Sequence, residues 1–351
     1  MKLSHQTIEL KPTHPFVIAR GGYAHHMNVI VRLADDEGNE GFGEAAPNKY
    51  YGESVATVSA ALDQFAPLIR AADPFGIERI ESAIGQALQK NAAAKSAVSA
   101  ALHDLVGKRL GLPVHRLWGL DAQDAPQSSF TIAIADNDVL RQRVAEAKDY
   151  PILKIKLGTD RDEEIVRIVY DAAAGKRLRV DANAAWTPKH AVRMSGFLAE
   201  LGVEMLEQPV AAQDLDGLRF VRKQSKLPVF ADESCLVAAD IPKLAGAVDG
   251  INIKLAKCGS LREALRMVHT ARAHGMQVMA GCMIESSLGI SAIAQISPLL
   301  DHADFDGAAL LAEDPFSGTT IAGGTVRLGT GPGLGAVPRP GVRAPVAFSS
   351  A

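Results

Sequence analysis

Leu153-Lys154-Ile155-Lys156-Leu157 alternates apolar and basic side chains. In a β-strand successive side chains point to opposite faces, so Leu153, Ile155 and Leu157 share one face and the two lysines share the other. Strands of a parallel sheet are covered on both faces. In a closed barrel the apolar face would meet the surrounding helices, and the lysines would enter the barrel interior. Two buried ammonium groups need partners. An exposed edge strand with solvated lysines would carry the same five residues, so the flanking sequence has to decide.

Downstream, three short apolar runs each close on an acid: Leu178-Arg179-Val180-Asp181, Met205-Leu206-Glu207 and Val229-Phe230-Ala231-Asp232. Asp181 lies 25 residues beyond Lys156, Glu207 lies 26 beyond Asp181, and Asp232 lies 25 beyond Glu207. Each interval fits one strand-helix unit. Equivalent positions on consecutive units set these groups side by side at one rim of a barrel, the rim where such barrels carry their catalytic groups. Acids at strand-to-helix junctions also serve as helix N-caps, but unrelated caps have no reason to keep register with the lysine strand. Three adjacent carboxylates repel one another unless a cation sits among them. Oxygen ligands of this kind suit a hard ion, Mg²⁺ or Mn²⁺.

The same reading extends in both directions. Apolar runs at Phe130–Ala135, Leu153–Leu157, Leu178–Asp181, Met205–Glu207, Val229–Asp232, Ile251–Leu255, Val278–Ala280 and Ala303–Leu310 alternate with helical stretches. Strand and helix in alternation predict parallel β/α units, and eight of them fit a closed barrel better than an open sheet. There is no G-x-G-x-x-G after a strand to suggest a dinucleotide site. Lys254, in Ile251-Asn252-Ile253-Lys254-Leu255, takes the inward parity with Asn252. It lies four strands from Lys156, across the barrel mouth. Lys257 falls beyond that strand and off its parity, which reads as a supporting or solvated lysine. Asp304 and Asp306 sit two apart on the last run. On a strand they share a face and would suit a cationic substrate group; a capped loop would carry them too.

The first third reads as α+β. Val29–Leu33 alternates like a strand, turns at Asp35-Asp36-Glu37-Gly38, and is expected to pair with Gly41-Phe42-Gly43-Glu44. Val55–Ile69, Ile77–Leu88 and the alanine-rich Ala93–Leu110 show helical periodicity, and the last stops at Gly111 with Pro113 beyond. The expected division is a capping domain over 1–120, a barrel over 121–322, and a Gly- and Pro-containing segment over 323–351 that returns toward the cap or lies along the surface. The net charge is −3, without a basic tract, so a nucleic-acid surface is not expected. No apolar run reaches membrane-spanning length and the N-terminus lacks a signal-type apolar core. A soluble cytoplasmic protein is expected. Cys235, Cys258 and Cys282 are odd in number and show no C-x-x-C spacing, which argues against a disulfide framework or a zinc knuckle.

Taken in order, Lys154-x-Lys156, Asp181-Ala-Asn183, Glu207-Gln208-Pro209, Asp232-Glu233-Ser234 and Asn252-Ile253-Lys254 resemble the enolase superfamily in its muconate-lactonizing subgroup. The resemblance spans nearly the whole chain, including Ala101-Leu-His-Asp104-Leu and Gly331-Pro-Gly-Leu-Gly335. It implies an α/β fold, a modified (β/α)₇β TIM-type barrel under an α+β capping domain. It also implies Mg²⁺, one per subunit with Mn²⁺ as an alternative, on Asp181, Glu207 and Asp232. Superfamily sites of this type use a lysine or histidine base with the metal. Lys156 and Lys254 are then the acid-base pair, with Lys154 beside the substrate carboxylate.

Within the subgroup, Asp304-Phe305-Asp306 resembles the dipeptide epimerases, where such an acidic pair holds the substrate's free α-ammonium. That implies a small dipeptide substrate, L-Ala-D/L-Glu or a related L-Ala-L-Xaa. N-acylamino-acid racemase, o-succinylbenzoate synthase and muconate cycloisomerase reactions are the alternatives on the same metal and lysines, but they need no acidic pair. The same resemblance places Thr131, Cys282 and Ile284 along the substrate pocket, the last two mainly through backbone groups. It gives the loops around Arg20–His26 and Asn48–Glu53 the choice of substrate side chain, with Arg20 as a partner for an acidic one. Glu285 matches a position that supports the site from behind. Members of the family often form homo-oligomers, though no interface is legible here.

Overall fold

The computed structural model describes residues 1–340. The chain opens on an antiparallel sheet of β1 (Lys2–Leu10), β2 (His26–Ala34) and β3 (Glu40–Ala45), with β2 in the middle. The pairing of β2 with β3 expected from the turn at 35–38 is present, Val31 opposite Gly43. The sequence pattern gave no sign of β1. Only its Ile8 and Leu10 are buried, and the nine-residue ladder with β2 holds it in place.

Three helices back the sheet: α1 (Val55–Arg70), α2 (Ile77–Ala87) and α3 (Ala92–Leu110). α1 starts at a capping box in which Ser54 and Thr57 exchange side-chain and backbone bonds. α3 ends at Gly111 in the left-handed conformation, φ 69°. Its alanines let it lie directly on β3. A Cβ at Gly41 or Gly43 would overlap the carbonyl oxygens of Ala101 or Ala97, so glycine is required at both positions.

The barrel strands are β4 (Phe130–Ile132), β5 (Ile152–Lys156), β6 (Arg177–Asp181), β7 (Val203–Glu207), β8 (Val229–Ala231), β9 (Gly250–Ile253), β10 (Gln277–Gly281) and β11 (His302–Asp304). They pair in parallel in sequence order, and a bridge from Ser128 to Ala303 brings the ends of the sheet together. The crossovers pass through α4 (Asn137–Glu146), α5 (Asp162–Ala172), α6 (Pro188–Glu200), α7 (Leu215–Gln224), α8 (Leu261–Ala273) and α9 (Ser287–Ala294), with a short helix at Ile241–Leu244 between β8 and β9. This is the expected TIM-type barrel. Several strands end earlier than expected, most of all the first, at Ile132 rather than Ala135, the sixth, at Ile253 rather than Leu255, and the last, at Asp304, after which 305–310 form a loop and turn.

One end of the barrel is closed. Met205, Phe230 and Met279 cluster there, and the buried Arg179 donates to Glu204 and meets His302 at 3.2 Å. The other end opens toward the cap. The chain beyond the barrel touches both parts. Leu334 donates its amide to Asp104 of α3 and accepts through its carbonyl from Gln295. The rest of the predicted 323–351 segment, from 341 on, lies outside the described residues. Among the described residues, no helix is long and apolar enough to cross a membrane.

Candidate active site

The parity argument for β5 holds. Leu153, Ile155 and Leu157 are fully buried against the helix layer, while Lys154 and Lys156 enter the barrel and are almost as buried, 1% and 7% exposed. Strand register does the rest. Lys156 pairs with Asp181 and Asp181 with Glu207, while Asp232 follows the last residue of β8. Ligand oxygens of Asp181, Glu207 and Asp232 all lie within 4.8 Å of one another.

The backbone just past these acids is unusual. Asn183, Ala184 and Gln208 have positive φ, at 46°, 64° and 33°, a conformation that side chains other than glycine adopt at a cost. Gln208 is held there by its own amide. Its Oε1 accepts from Asp232 N at 2.9 Å and Ser234 N at 3.1 Å, and its Nε2 donates to Val210 O and Ser234 Oγ at 2.8 Å each. The sequence motif contained Gln208 without revealing this role. It fixes the backbone that presents Asp232.

As the side chains stand, lysines serve as counter-ions to the acids. Lys156 Nζ donates to Asp181 Oδ2 at 2.7 Å, and Lys254 Nζ to Asp232 Oδ2 at 2.7 Å. Lys154 Nζ lies 2.8 Å from Glu207 Oε2, 2.7 Å from Asp304 Oδ2 and 3.3 Å from Asp181 Oδ2. Burial opposes charge on Lys254, yet Asp232 and the other carboxylates outweigh it and hold the ammonium above its ordinary pKa. Lys154 is raised in the same way, against burial, by Asp304 and Glu207. Burial by itself would lower both Lys154 and Lys254; the paired acids reverse that direction. Burial also acts against ionising Asp181, but Lys156 and Lys154 prevail and keep it below the usual carboxylate range. Glu207 goes the other way, to about 7, through burial and the Asp181 charge.

The donor set fits a hard divalent ion. It is all oxygen, buried, and flanked by buried acceptors that find no partner among the described residues: Asn183 Oδ1, Glu233 Oε2 and Asn252 Oδ1. Such atoms suit the water molecules that a small divalent ion retains. Asn252 meanwhile uses its Nδ2 to orient Glu207 Oε1, at 2.7 Å.

Above this cluster lies a cavity of about 570 Å³ between barrel rim and cap. Thr131, Lys156, Lys254, Cys282, Ile284, Asp304, Asp306 and Arg20 all line it, as does Asp232. Lys154 does not; it lies beneath, enclosed by carboxylates. Asp304 accepts from Ser129 Oγ at 2.7 Å as well as from Lys154, and it stays below its ordinary pKa because Lys154 overcomes the effect of burial. Asp306 lies past the strand, so shared strand parity is not what brings it beside Asp304. The loop carries it back, and its Oδ2 accepts from Thr131 N at 2.6 Å. Burial and the Asp304 charge push its carboxyl up to about 7.

Cys282 Sγ contacts Asp304 O at 3.3 Å, and the Ile284 carbonyl accepts from Asn28 of the cap. Arg20 is engaged rather than free. It donates to Glu233 Oε1 and Asn183 O at 2.7 Å each and stacks over Tyr50 at 4.3 Å. Of the two readings its position past the strand left open, supporting or solvated, Lys257 is not solvated; its side chain is fully enclosed. Glu285 accepts from Met283 N, and burial together with Glu44 raises it to about 7.

The sequence also missed the cap's grip on this loop. Glu44 of β3 accepts from Ser286 N, Ser286 Oγ and Gly289 N at the start of α9, and from Asn28. Nothing in the local pattern links residues 242 apart in the chain.

Comparison with known proteins fits this geometry. Residues 138–342 match the enolase C-terminal domain-like family, and residues 4–119 match the mandelate racemase / muconate lactonizing enzyme N-terminal domain. The chain is 42% identical over 337 residues to an L-Ala-D/L-Glu epimerase of Bacteroides thetaiotaomicron, covering 95% of this chain and 87% of that protein. It is 40% identical over 346 residues to a hydrophobic dipeptide epimerase of Roseobacter litoralis, covering 96% and 99%. A solved dipeptide epimerase from Enterococcus faecalis V583, complexed with Mg and the dipeptide L-Leu-L-Tyr, superposes with TM-score 0.91 at 34% identity over 95% of this chain and 98% of that one.

Proposed function

The chain belongs to the mandelate racemase/muconate lactonizing enzyme family of the enolase superfamily, and from that premise we propose that it is a Mg²⁺-dependent dipeptide epimerase. It moves a proton off and back onto the α-carbon of a dipeptide's C-terminal residue. The observation that carries the reading is the pair of cavity-lining lysines, Lys156 and Lys254, each set on a different acid of the triad.

An α-proton beside a carboxylate is weakly acidic, because its loss puts a second negative charge next to the first. A divalent ion held by Asp181, Glu207 and Asp232 supplies Lewis-acid stabilisation of that charge. Lys154, fixed beneath the cavity, adds positive charge near the same place. Lys156 removes the proton from one epimer and Lys254 delivers one from the other face; the opposite epimer reverses the roles. If the triad's charge were taken up by a cation, Lys254 would lose Asp232 as its counter-ion, which would lower its hold on the proton. Asp304 and Asp306 receive the free α-ammonium, with Thr131 positioning Asp306.

L-Ala-D/L-Glu is the leading substrate within a wider L-Ala-L-Xaa class. An acidic C-terminal side chain would meet Arg20 at the cavity wall, in competition with Glu233. With net charge −3 and no basic tract, the protein is read as a cytoplasmic enzyme acting on a small molecule, without a nucleic-acid partner.

The test is proton NMR in D₂O with Mg²⁺ and a library of L-Ala-L-Xaa dipeptides, beginning with L-Ala-L-Glu. The expected result is loss of the C-terminal residue's α-proton signal and growth of the second diastereomer. Silence across the library, with turnover of N-succinyl amino acids or a lactone, would replace the epimerase reading with another reaction of the subgroup.

A further inference from the structure

Lys257 is a buried cation that the proton-transfer scheme does not use. It sits on the single turn Leu255–Cys258 that follows β9, and its side chain has no solvent exposure. Four oxygens surround its ammonium: Asp232 Oδ1 at 2.5 Å, Asp232 O at 2.6 Å, Asn252 O at 2.9 Å and Cys235 O at 3.1 Å. An ammonium has three N–H groups, so its donor capacity is fully spent. Three of the four oxygens belong to the 232–235 stretch and the fourth to β9. Lys257 therefore ties the end of β8 to the neighbouring strand through one atom.

The two carboxylate oxygens of Asp232 are divided. Oδ1 goes to Lys257, which is enclosed and does not line the cavity. Oδ2 goes to Lys254, which lines it. We propose that Lys257 is a positioning residue that holds Asp232 by Oδ1 and by its main chain, so that Oδ2 alone is presented to the metal. Lys254 is then the exchangeable partner: a metal held by the triad would take Oδ2 from it, while Lys257 would keep Oδ1. The inference rests on the triad being a metal site and does not depend on which dipeptide, if any, is turned over.

The sign of the effect separates this role from plain electrostatics. Removing a positive charge close to a cation site should tighten cation binding. Removing a group that orients a ligand should weaken it, by roughly ten- to a hundred-fold for outer partners of metal ligands.

The experiment measures Mn²⁺ affinity of the full chain by electron paramagnetic resonance, without substrate, for wild type, Lys257→Met and Lys257→Arg. Thermal unfolding in chelator serves as the folding control. Methionine keeps much of the length and loses the charge. Arginine keeps the charge but cannot place one nitrogen among four oxygens. Both variants are expected to bind Mn²⁺ about ten-fold or more weakly. Binding by Lys257→Met that is unchanged or tighter overturns the proposal. If that variant does not fold, Lys257→Arg decides, and affinity within two-fold of wild type overturns it. Because no substrate enters, failure here leaves the epimerase reading standing, and failure of that reading leaves this result interpretable.

Discussion

On the β5–β9 side of the rim, acids are matched by lysines: Asp181 by Lys156, Asp232 by Lys254 and Lys257. Where β11 meets β4, hydroxyl and amide donors take part instead. Ser129 Oγ holds Asp304 and the Thr131 amide holds Asp306. Lys154 spans the two sides, reaching both Glu207 and Asp304. The first arrangement is exchangeable: a lysine set on an acid would give up that partner if another cation took the acid. The second is fixed: a hydroxyl and an amide orient a carboxylate without supplying a proton at neutral pH. The difference suggests a division of labour. On the proposed reading, proton transfer belongs to the lysine-matched side and recognition of the substrate's ammonium to the seam.

The sharpest way to break that division is at the lysines. Replacing Lys156 or Lys254 by alanine should lower epimerisation by about 10²- to 10⁴-fold, the range for general acid-base groups. Each variant should differ in which epimer still exchanges its α-proton with D₂O, read by proton NMR. If Lys254→Ala epimerised at the wild-type rate, the two-base scheme would fall.

The seam should fail differently. Asp306→Asn should raise KM for a free dipeptide by at least about thirty-fold, since cutting one partner of a buried charge pair costs roughly 2 kcal/mol or more. An N-acetylated dipeptide, which lacks the ammonium, should bind both forms alike. The Asp306 carboxyl sits at about 7 because of burial and Asp304. Below that value it is neutral and a poor partner for an ammonium. KM for the dipeptide should therefore rise as pH falls through 7, and the Asp306→Asn variant should show a flatter profile there. A KM that is level with pH in the wild type would detach Asp306 from ammonium binding.

The two sides also differed in how readily the sequence revealed them. The lysine-matched side repeats one charged residue per strand-helix unit, so spacing of 25 or 26 residues locates Asp181, Glu207 and Asp232. The seam has no such repeat. Asp306 was placed by assuming a strand to residue 310, and the strand stops at Asp304. Ser129 and Gln208 act through hydrogen bonds whose partners come from elsewhere in the chain. Strand β1 was missed because its ladder, rather than apolar alternation, holds it. Periodicity records burial; it does not record which polar group meets which.

The cap tests whether the seam side is fixed from outside as well. Glu44 gathers three donors from the start of α9 and one from Asn28, which also holds Ile284 O. Glu44→Gln leaves some of these donors facing a buried amide that cannot accept as many bonds. A loss of about 1–3 kcal/mol is expected, seen as a lower midpoint in thermal or urea unfolding. Because this clamp bears on the loop 282–286 and not on the acid triad, Mn²⁺ affinity should stay near wild type. A large loss of metal binding would mean that the cap supports both sides equally.

The smallest expected effect is the most specific to the comparison. Ser129→Ala removes one hydroxyl, 2.7 Å from Asp304 Oδ1, inside the closing seam of the barrel. Asp304 keeps Lys154 on its other oxygen, so the carboxylate stays charged and only its orientation loosens. A single hydrogen bond of about 1 kcal/mol corresponds to roughly a five-fold change. That change should appear in KM for the free dipeptide, with kcat and Mn²⁺ affinity little altered. If kcat fell instead and KM held, Ser129 would be acting through Lys154 on the reacting end of the substrate, and the two sides of the rim would be one coupled unit.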